Sequence, residues 1–354
     1  MTRPPRARDL GLPFPGTPGP LNAITDVPGV EVGFCTLTDP TRDLRTGVTA
    51  ILPRGKGTTP IPVTAGHYAL NGNGEMTGTH WIDDAGYFLG PVLISNTHAI
   101  GACHTGAVQW MIDTYAEHFA GVAWAMPVVA ETYDGILNDI TRLSVTPDHA
   151  RAALDAAGTG AVAEGSTGGG NGMIAYEFKG GTGTASRRVD LGGEWTVAAL
   201  VQANFGIRPW LTILGKPVGQ MLTGDRLLPR ETGSIIVILA TDAPLSPLSL
   251  RALAKRAAIG IGRTGTPGGN SSGDIFLAFT TANPQPMAER ARLLRQVTEL
   301  NPDHLDPIYL AAVEAVDEAV VNAMVAGEDV PTIKPRGKIC RAIGRERLAA
   351  LFRD

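Results

Sequence analysis

The sequence predicts one layered α/β domain, with sheets sandwiched between helices. Three observations carry that expectation. Hydrophobic residues make up 44 % of the 354 residues, ample for a sizeable core. Short apolar runs recur, bounded by Gly, Pro or Asn, and most are continuously apolar, as in strands covered on both faces. Helical patterns separate these runs, and no repeat or linker cuts the chain cleanly in two.

Residues 1–35 read as an extended arm rich in Pro and Gly. Strands are expected at 48–52, 91–95, 121–130, 196–203, 234–241 and 275–280. Helices are expected at 104–120, 147–157, 247–261, 286–300 and 307–325, several of them opening with Pro near the first turn.

Composition excludes several classes. The net charge of −4 and the 6 % aromatic content argue against a nucleic-acid ligand. Cys35, Cys103 and Cys340 are scattered and odd in number, which argues against a disulfide framework. The basic start leads to no apolar signal region, and the longest apolar run, 235–240, is far below a membrane span. A soluble cytoplasmic protein is the expectation.

Glycine is in excess, at 44 residues. Gly260-Ile261-Gly262-Arg263-Thr264-Gly265 has the letters of a dinucleotide fingerprint, but it follows a helical segment rather than a strand, so a helix end explains it better. The clusters 168–172 and 180–184 lack the Lys-Ser/Thr of a phosphate loop and read as turns or amide-lined loops. The stretch Gly268-Gly269-Asn270-Ser271-Ser272-Gly273-Asp274 leads into the strand at 275–280. Such a junction either presents a serine to an approaching group or is a turn before a core strand.

Six motifs in order then carry a resemblance. They are Arg8-Asp9-Leu10-Gly11 with Gly19-Pro20-Leu21-Asn22-Ala23-Ile24-Thr25-Asp26-Val27, Leu70-Asn71-Gly72-Asn73-Gly74-Glu75-Met76-Thr77-Gly78 and Glu131-Thr132-Tyr133-Asp134-Gly135. Val201-Gln202-Ala203-Asn204-Phe205-Gly206, Ala240-Thr241-Asp242-Ala243-Pro244-Leu245 and residues 270–279 complete the set. With them the chain resembles the DmpA/BapA family, the P1 (S58) peptidases that comprise L-aminopeptidase/D-esterases and β-peptidyl aminopeptidases.

The resemblance implies a four-layer αββα sandwich like that of N-terminal-nucleophile hydrolases. It also implies self-cleavage at the Ser271–Ser272 bond, giving an α chain of 1–271 and a β chain of 272–354. A serine hydroxyl needs a base, and the α-amine that cleavage would free on Ser272, with a reference pKa of about 7.7–8.0, can serve as one. By resemblance Asn204 stabilises the oxyanion, Tyr133 steadies it or passes a proton, and Glu131 pairs with the substrate's free ammonium. Glu318, in Val316-Asp317-Glu318, corresponds to the carboxylate of a Ser/Thr-x-Glu relay and is expected to orient the Ser272 amine. Valine stands where relatives carry the hydroxyl. Ser271 replaces the common glycine and is a rival nucleophile, but the Ser-Gly-Asp register favours Ser272.

The resemblance further implies small peptide, amide or ester substrates, no cofactor, and a homo-oligomer, with a tetramer as the expected assembly. His67, His80, His98 and His104 lie close together in sequence without metal-ligand spacing, so no metal site is expected. Arg187-Arg188 and Arg341…Arg345 read as solvated surface. Acyl transfer on the same fold, or an impaired oligomeric binding protein, are the alternatives.

Overall fold

The computed structural model describes residues 5–57, 59–231, 233–287 and 292–353. Its first sheet contains β1 (Glu31–Asp39), β2 (Leu44–Leu52), β5 (Val92–Asn96) and β6 (Val128–Thr132), in the order β1-β2-β5-β6. The second contains β3 (Val63–Ala69), β4 (Tyr87–Phe88), β9 (Gly181–Asp190), β10 (Glu194–Asn204), β11 (Ser234–Thr241) and β12 (Asp274–Thr280), in the order β4-β3-β12-β11-β10-β9. Two small hairpins pair β7 (Ile174–Ala175) with β8 (Phe178–Lys179) and β13 (Val330–Ile333) with β14 (Arg336–Cys340). The helices are α1 (Thr79–Ala85), α2 (Ile100–Thr114), α3 (Ala116–Phe119), α4 (Pro147–Asp155), α5 (Val218–Met221), α6 (Pro247–Arg263), α7 (Asp306–Val325) and α8 (Arg345–Ala350).

Three apolar layers explain the continuously apolar strands. Along β10, β11 and β12 alternate residues point to opposite faces. Ala199, Val201, Val237 and Phe276 pack under α6 and α7, whereas Leu200, Ile236 and Ile275 meet the first sheet. The outer face of the first sheet is covered by α2 and α4 through residues such as Leu93, Trp110 and Leu154. The result is an αββα sandwich, as expected.

The differences from expectation have physical causes. The arm ends earlier, at β1, whose polar alternation hides a strand that is only half buried. Strand β9, GTGTASRRVD, carries almost no apolar residue, yet it is buried because α7 lies directly on it; a Cβ at Gly183 would come within 2.0 Å of Ala319 O. The helix expected at 286–300 does not form over 292–300; residues 288–291 lie outside the described residues. Leu293 and Leu294 there are exposed, so no buried apolar face supports a helix. Gly260 and Gly262 lie in the last turns of α6, and Gly265 follows with φ +102°, so the fingerprint letters mark a helix end. Gly260 lets α7 approach: a Cβ there would come within 2.6 Å of Val316 Cβ. The glycines at 168–172 form a buried 3-10 turn between the sheets, where a Cβ at Gly169 would meet Gln202 and Ile94.

Candidate active site

Parallel pairing of β11 and β12 brings the first residue of β12, Asp274, beside Ile235, while Ser234 pairs with Asn204 at the end of β10. Three strand ends therefore converge on the segment that enters β12. Ser271 is exposed there and Ser272 is wholly buried. The Ser272 hydroxyl donates to Asp274 Oδ1 at 2.5 Å, and the Ser272 N–H donates to Gly269 O at 3.0 Å. Gly273 is required at the next position: a Cβ would come within 2.5 Å of Asn73 O.

The loop 71–75 closes over this segment. Asn71 Oδ1 accepts from the Asp274 N–H at 2.6 Å, and its Nδ2 donates to Asp274 Oδ2 and to Gly269 O, each at 2.9 Å. Asn73 Nδ2 donates to Ser271 O at 2.8 Å, and the Asn73 N–H donates to Ser272 O at 3.2 Å. Burial pushes the Asp274 carboxyl above its ordinary pKa, against the opposing pull of the Ser272 and Asn71 hydrogen bonds.

Glu131 lies near the end of β6, on the other side of the same loop. Gly74 stands between it and the junction: a Cβ at Gly74 would be 3.1 Å from Gly273 Cα and 3.3 Å from Glu131 Oε1. The Glu131 carboxylate accepts from the Glu75 N–H at 3.1 Å and from the Thr97 hydroxyl. Burial raises its pKa, outweighing those hydrogen bonds.

Asn204 and Tyr133 line one shallow cleft with Gly172, Gly206 and Gly233. Asn204 Oδ1 accepts from the Ile174 N–H and its Nδ2 donates to Tyr133 O, both at 2.8 Å, so the amide is held in one orientation across the gap between the sheets. Ser234 joins this cleft to the junction, pairing with Asn204 on one side and accepting from the Gly273 N–H at 3.1 Å on the other. Tyr133 is partly exposed, its ring folded against Gly135.

Glu318 is not brought to this place. Its carboxylate is buried on α7, where it accepts from Arg8 Nε at 3.0 Å, Arg187 Nη2 at 2.8 Å and Asn22 Nδ2 at 2.6 Å. Asn22 in turn accepts from the Ser186 N–H of β9. Strand β9 lies three places from β12, about 14 Å at ordinary strand spacing. The expectation that Glu318 orients the Ser272 amine is therefore corrected: both of its oxygens are committed to guanidinium groups. Val316 faces α6, so the missing hydroxyl is also remote from the junction. The stacking of Glu314 above Glu318 does hold, and Arg187 bridges the pair. Arg187 itself corrects the surface reading of Arg187-Arg188. Strand alternation turns Arg187 inward, where it is 1 % exposed, and leaves Arg188 outside.

Reading the residues left Asn71, Asn73 and Asp274 without separate roles. The signal available was their place in two matched motifs; what was missing was that these motifs touch. Among the histidines, His67 faces Asp83 at 3.3 Å and His98 Nδ1 lies 3.2 Å from Ile140 O.

Comparison with known proteins fits this geometry. Residues 22–337 match the profile of Peptidase family S58. The chain is 49 % identical over 348 residues to the beta-peptidyl aminopeptidase BapA of Sphingosinicella microcystinivorans, covering 92 % of this chain and 86 % of that one. It superposes on the L-aminopeptidase D-Ala-esterase/amidase of Ochrobactrum anthropi, a serine aminopeptidase with a variant Ntn hydrolase fold, with TM-score 0.94 and 57 % identity over 99 % of this chain and 98 % of that one. A Burkholderia sp. beta-aminopeptidase matches with TM-score 0.89 and 47 % identity, over 99 % and 98 % of the two chains. With a buried serine at the head of β12 and this likeness over nearly its whole length, the chain belongs to peptidase family S58 and is a hydrolase with the Ntn fold.

Proposed function

We propose that this protein is a self-processing serine aminopeptidase that hydrolyses short peptides, amino-acid amides or esters bearing a free amino terminus. The observation that carries the reading is the buried Ser272 hydroxyl, held by Asp274 at the entry to β12, directly after an exposed Ser271. Cleavage of the Ser271–Ser272 bond yields chains 1–271 and 272–354 and turns Ser272 into a chain terminus. Its α-amine, with a reference pKa of about 7.7–8.0, then accepts the hydroxyl proton near neutrality as Oγ attacks the substrate carbonyl.

Asn204 serves the oxyanion. One Nδ2 hydrogen is committed to Tyr133 O, and the fixed amide leaves its second hydrogen for the developing charge. Tyr133, on the rim of the same cleft, adds its hydroxyl to the oxyanion or passes a proton. Glu131, one glycine from Gly273, pairs with the substrate ammonium and limits the enzyme to amino-terminal residues. Three free cysteines support a reducing, cytoplasmic setting. The exposed Val122, Trp124, Leu293 and Leu294 support burial of apolar surface in a homo-oligomer.

Wild type and Ser272→Ala, run on a denaturing gel and assayed with aminoacyl p-nitroanilides, test the reading. Wild type should give two fragments and hydrolysis; the variant should give one 37.0 kDa band and neither activity. A Ser272→Ala protein that still splits or still turns over overturns the assignment.

A further inference from the structure

We propose that self-cleavage uses its own catalytic pair, Asn73 and Asp274, distinct from the residues that serve the substrate: Asn73 stabilises the oxyanion on the Ser271 carbonyl and Asp274 takes the Ser272 hydroxyl proton. This rests on the self-processing reading above.

The uncut chain already has both contacts in place. The Ser272 hydroxyl points its proton at Asp274 Oδ1, 2.5 Å away, and the Ser271 carbonyl oxygen accepts from Asn73 Nδ2 at 2.8 Å. Asn204, by contrast, holds Tyr133 O and the Ile174 N–H in the neighbouring cleft. The α-amine proposed as base for substrates does not exist before cleavage, because that nitrogen is the scissile amide and donates to Gly269 O. A base must therefore come from elsewhere, and the carboxylate touching the hydroxyl is Asp274. Asn71 fixes it from two sides, through its backbone N–H and Oδ2, and acts as a positioning residue. The partners of the Asp274 carboxylate are a hydroxyl and an amide rather than a cation, and burial raises its proton affinity.

The step balances. Ser272 Oγ bonds to the Ser271 carbonyl carbon as its proton passes to Asp274. The carbon–nitrogen bond then breaks, and Asp274 returns the proton to the leaving nitrogen, which becomes the Ser272 amine. The resulting ester between the Ser271 carbonyl and Ser272 Oγ is hydrolysed by water, giving the Ser271 carboxylate and the free hydroxyl. Asn73 Nδ2 meets the negative charge as the carbonyl becomes tetrahedral, and the Asn73 N–H on Ser272 O keeps the loop seated.

The test follows the appearance of fragments over time in freshly purified full-length chain, with folding checked by thermal melting. Asn73→Ala and Asn73→Asp remove the donor at an exposed position, where the fold tolerates change, and should slow cleavage about 10²–10³-fold. Asp274→Asn keeps the shape and a hydrogen-bond acceptor but loses the base, and should slow cleavage about 10²–10⁴-fold. If wild type is cut and folded Asn73 variants are cut at the wild-type rate, Asn73 has no such role. If folded Asp274→Asn is cut at that rate, Asp274 is not the base. If wild type is never cut, the self-processing reading itself fails.

Discussion

Asp274 and Glu318 are both carboxylates with no exposed surface, one within the six-stranded sheet and one on the helix packed against it, yet they are held in opposite ways. Glu318 accepts from two guanidinium groups and an amide, in a cluster that ties the chain's eighth residue to β9 and α7. Asp274 faces a hydroxyl and an amide. A buried charge that is fully paired has its chemistry used up in holding the fold, whereas one that faces a serine proton keeps the capacity to take it. Burial alone therefore does not identify a catalytic carboxylate; the nature of its partners does.

The largest expected effect falls on the junction. Ser272→Ala should lower turnover of an aminoacyl p-nitroanilide by about 10⁶-fold, as loss of a serine nucleophile does elsewhere, with melting temperature little changed. Turnover within tenfold of wild type would remove the junction from the chemistry. Next comes the arginine cluster. Glu318→Gln leaves Arg8 and Arg187 facing a neutral amide in a buried site, and unfolding in urea should show a loss of about 3–5 kcal/mol. Turnover per folded molecule should stay close to wild type, and a selective loss of kcat without loss of stability would return Glu318 to the active site.

Smaller effects sharpen the same contrast. Glu131→Gln should raise KM about 10–100-fold, equivalent to about 1.4–2.7 kcal/mol of lost ammonium binding, while kcat changes less. Because burial raises the Glu131 pKa, the ionised form proposed to bind the ammonium is lost at a higher pH than for an ordinary glutamate. KM in wild type should thus climb as pH falls through that raised pKa, and a pH–KM profile of Glu131→Gln should lack this climb. A further effect concerns Asp317, whose pKa burial raises from 3.8 to about 7. A raised carboxyl pKa in the folded state favours the protonated form. The stability it lends is fully present below pH 3.8 and is lost as pH rises from there through about 7. Melting temperatures measured from about pH 5 to pH 8 should fall more in wild type than in Asp317→Asn.

How much of this was legible follows from the range of the interactions. The strands β10, β11 and β12 were readable because each is locally apolar on both faces, and the Glu314–Glu318 stack because it is one helical turn. Strand β9 was not, since its burial comes from α7, more than a hundred residues later. The position of Ser272 was legible from its motif. The partners of Glu318 were not: Arg8 and Arg187 lie 310 and 131 residues away in sequence, and nothing local to α7 marks them. Likewise Asn73 meets Ser271 across 198 residues, a contact made only because β3 pairs with β12 and delivers the loop after β3 to the head of β12.

Intact-mass measurement on purified wild type, Ser272→Ala and Glu318→Gln tests the contrast between the two carboxylate environments most directly. The account predicts fragments 1–271 and 272–354 for wild type and for whatever Glu318→Gln protein folds, and one uncut chain for Ser272→Ala. A folded Glu318→Gln protein that stays whole, or a cut Ser272→Ala, would contradict it.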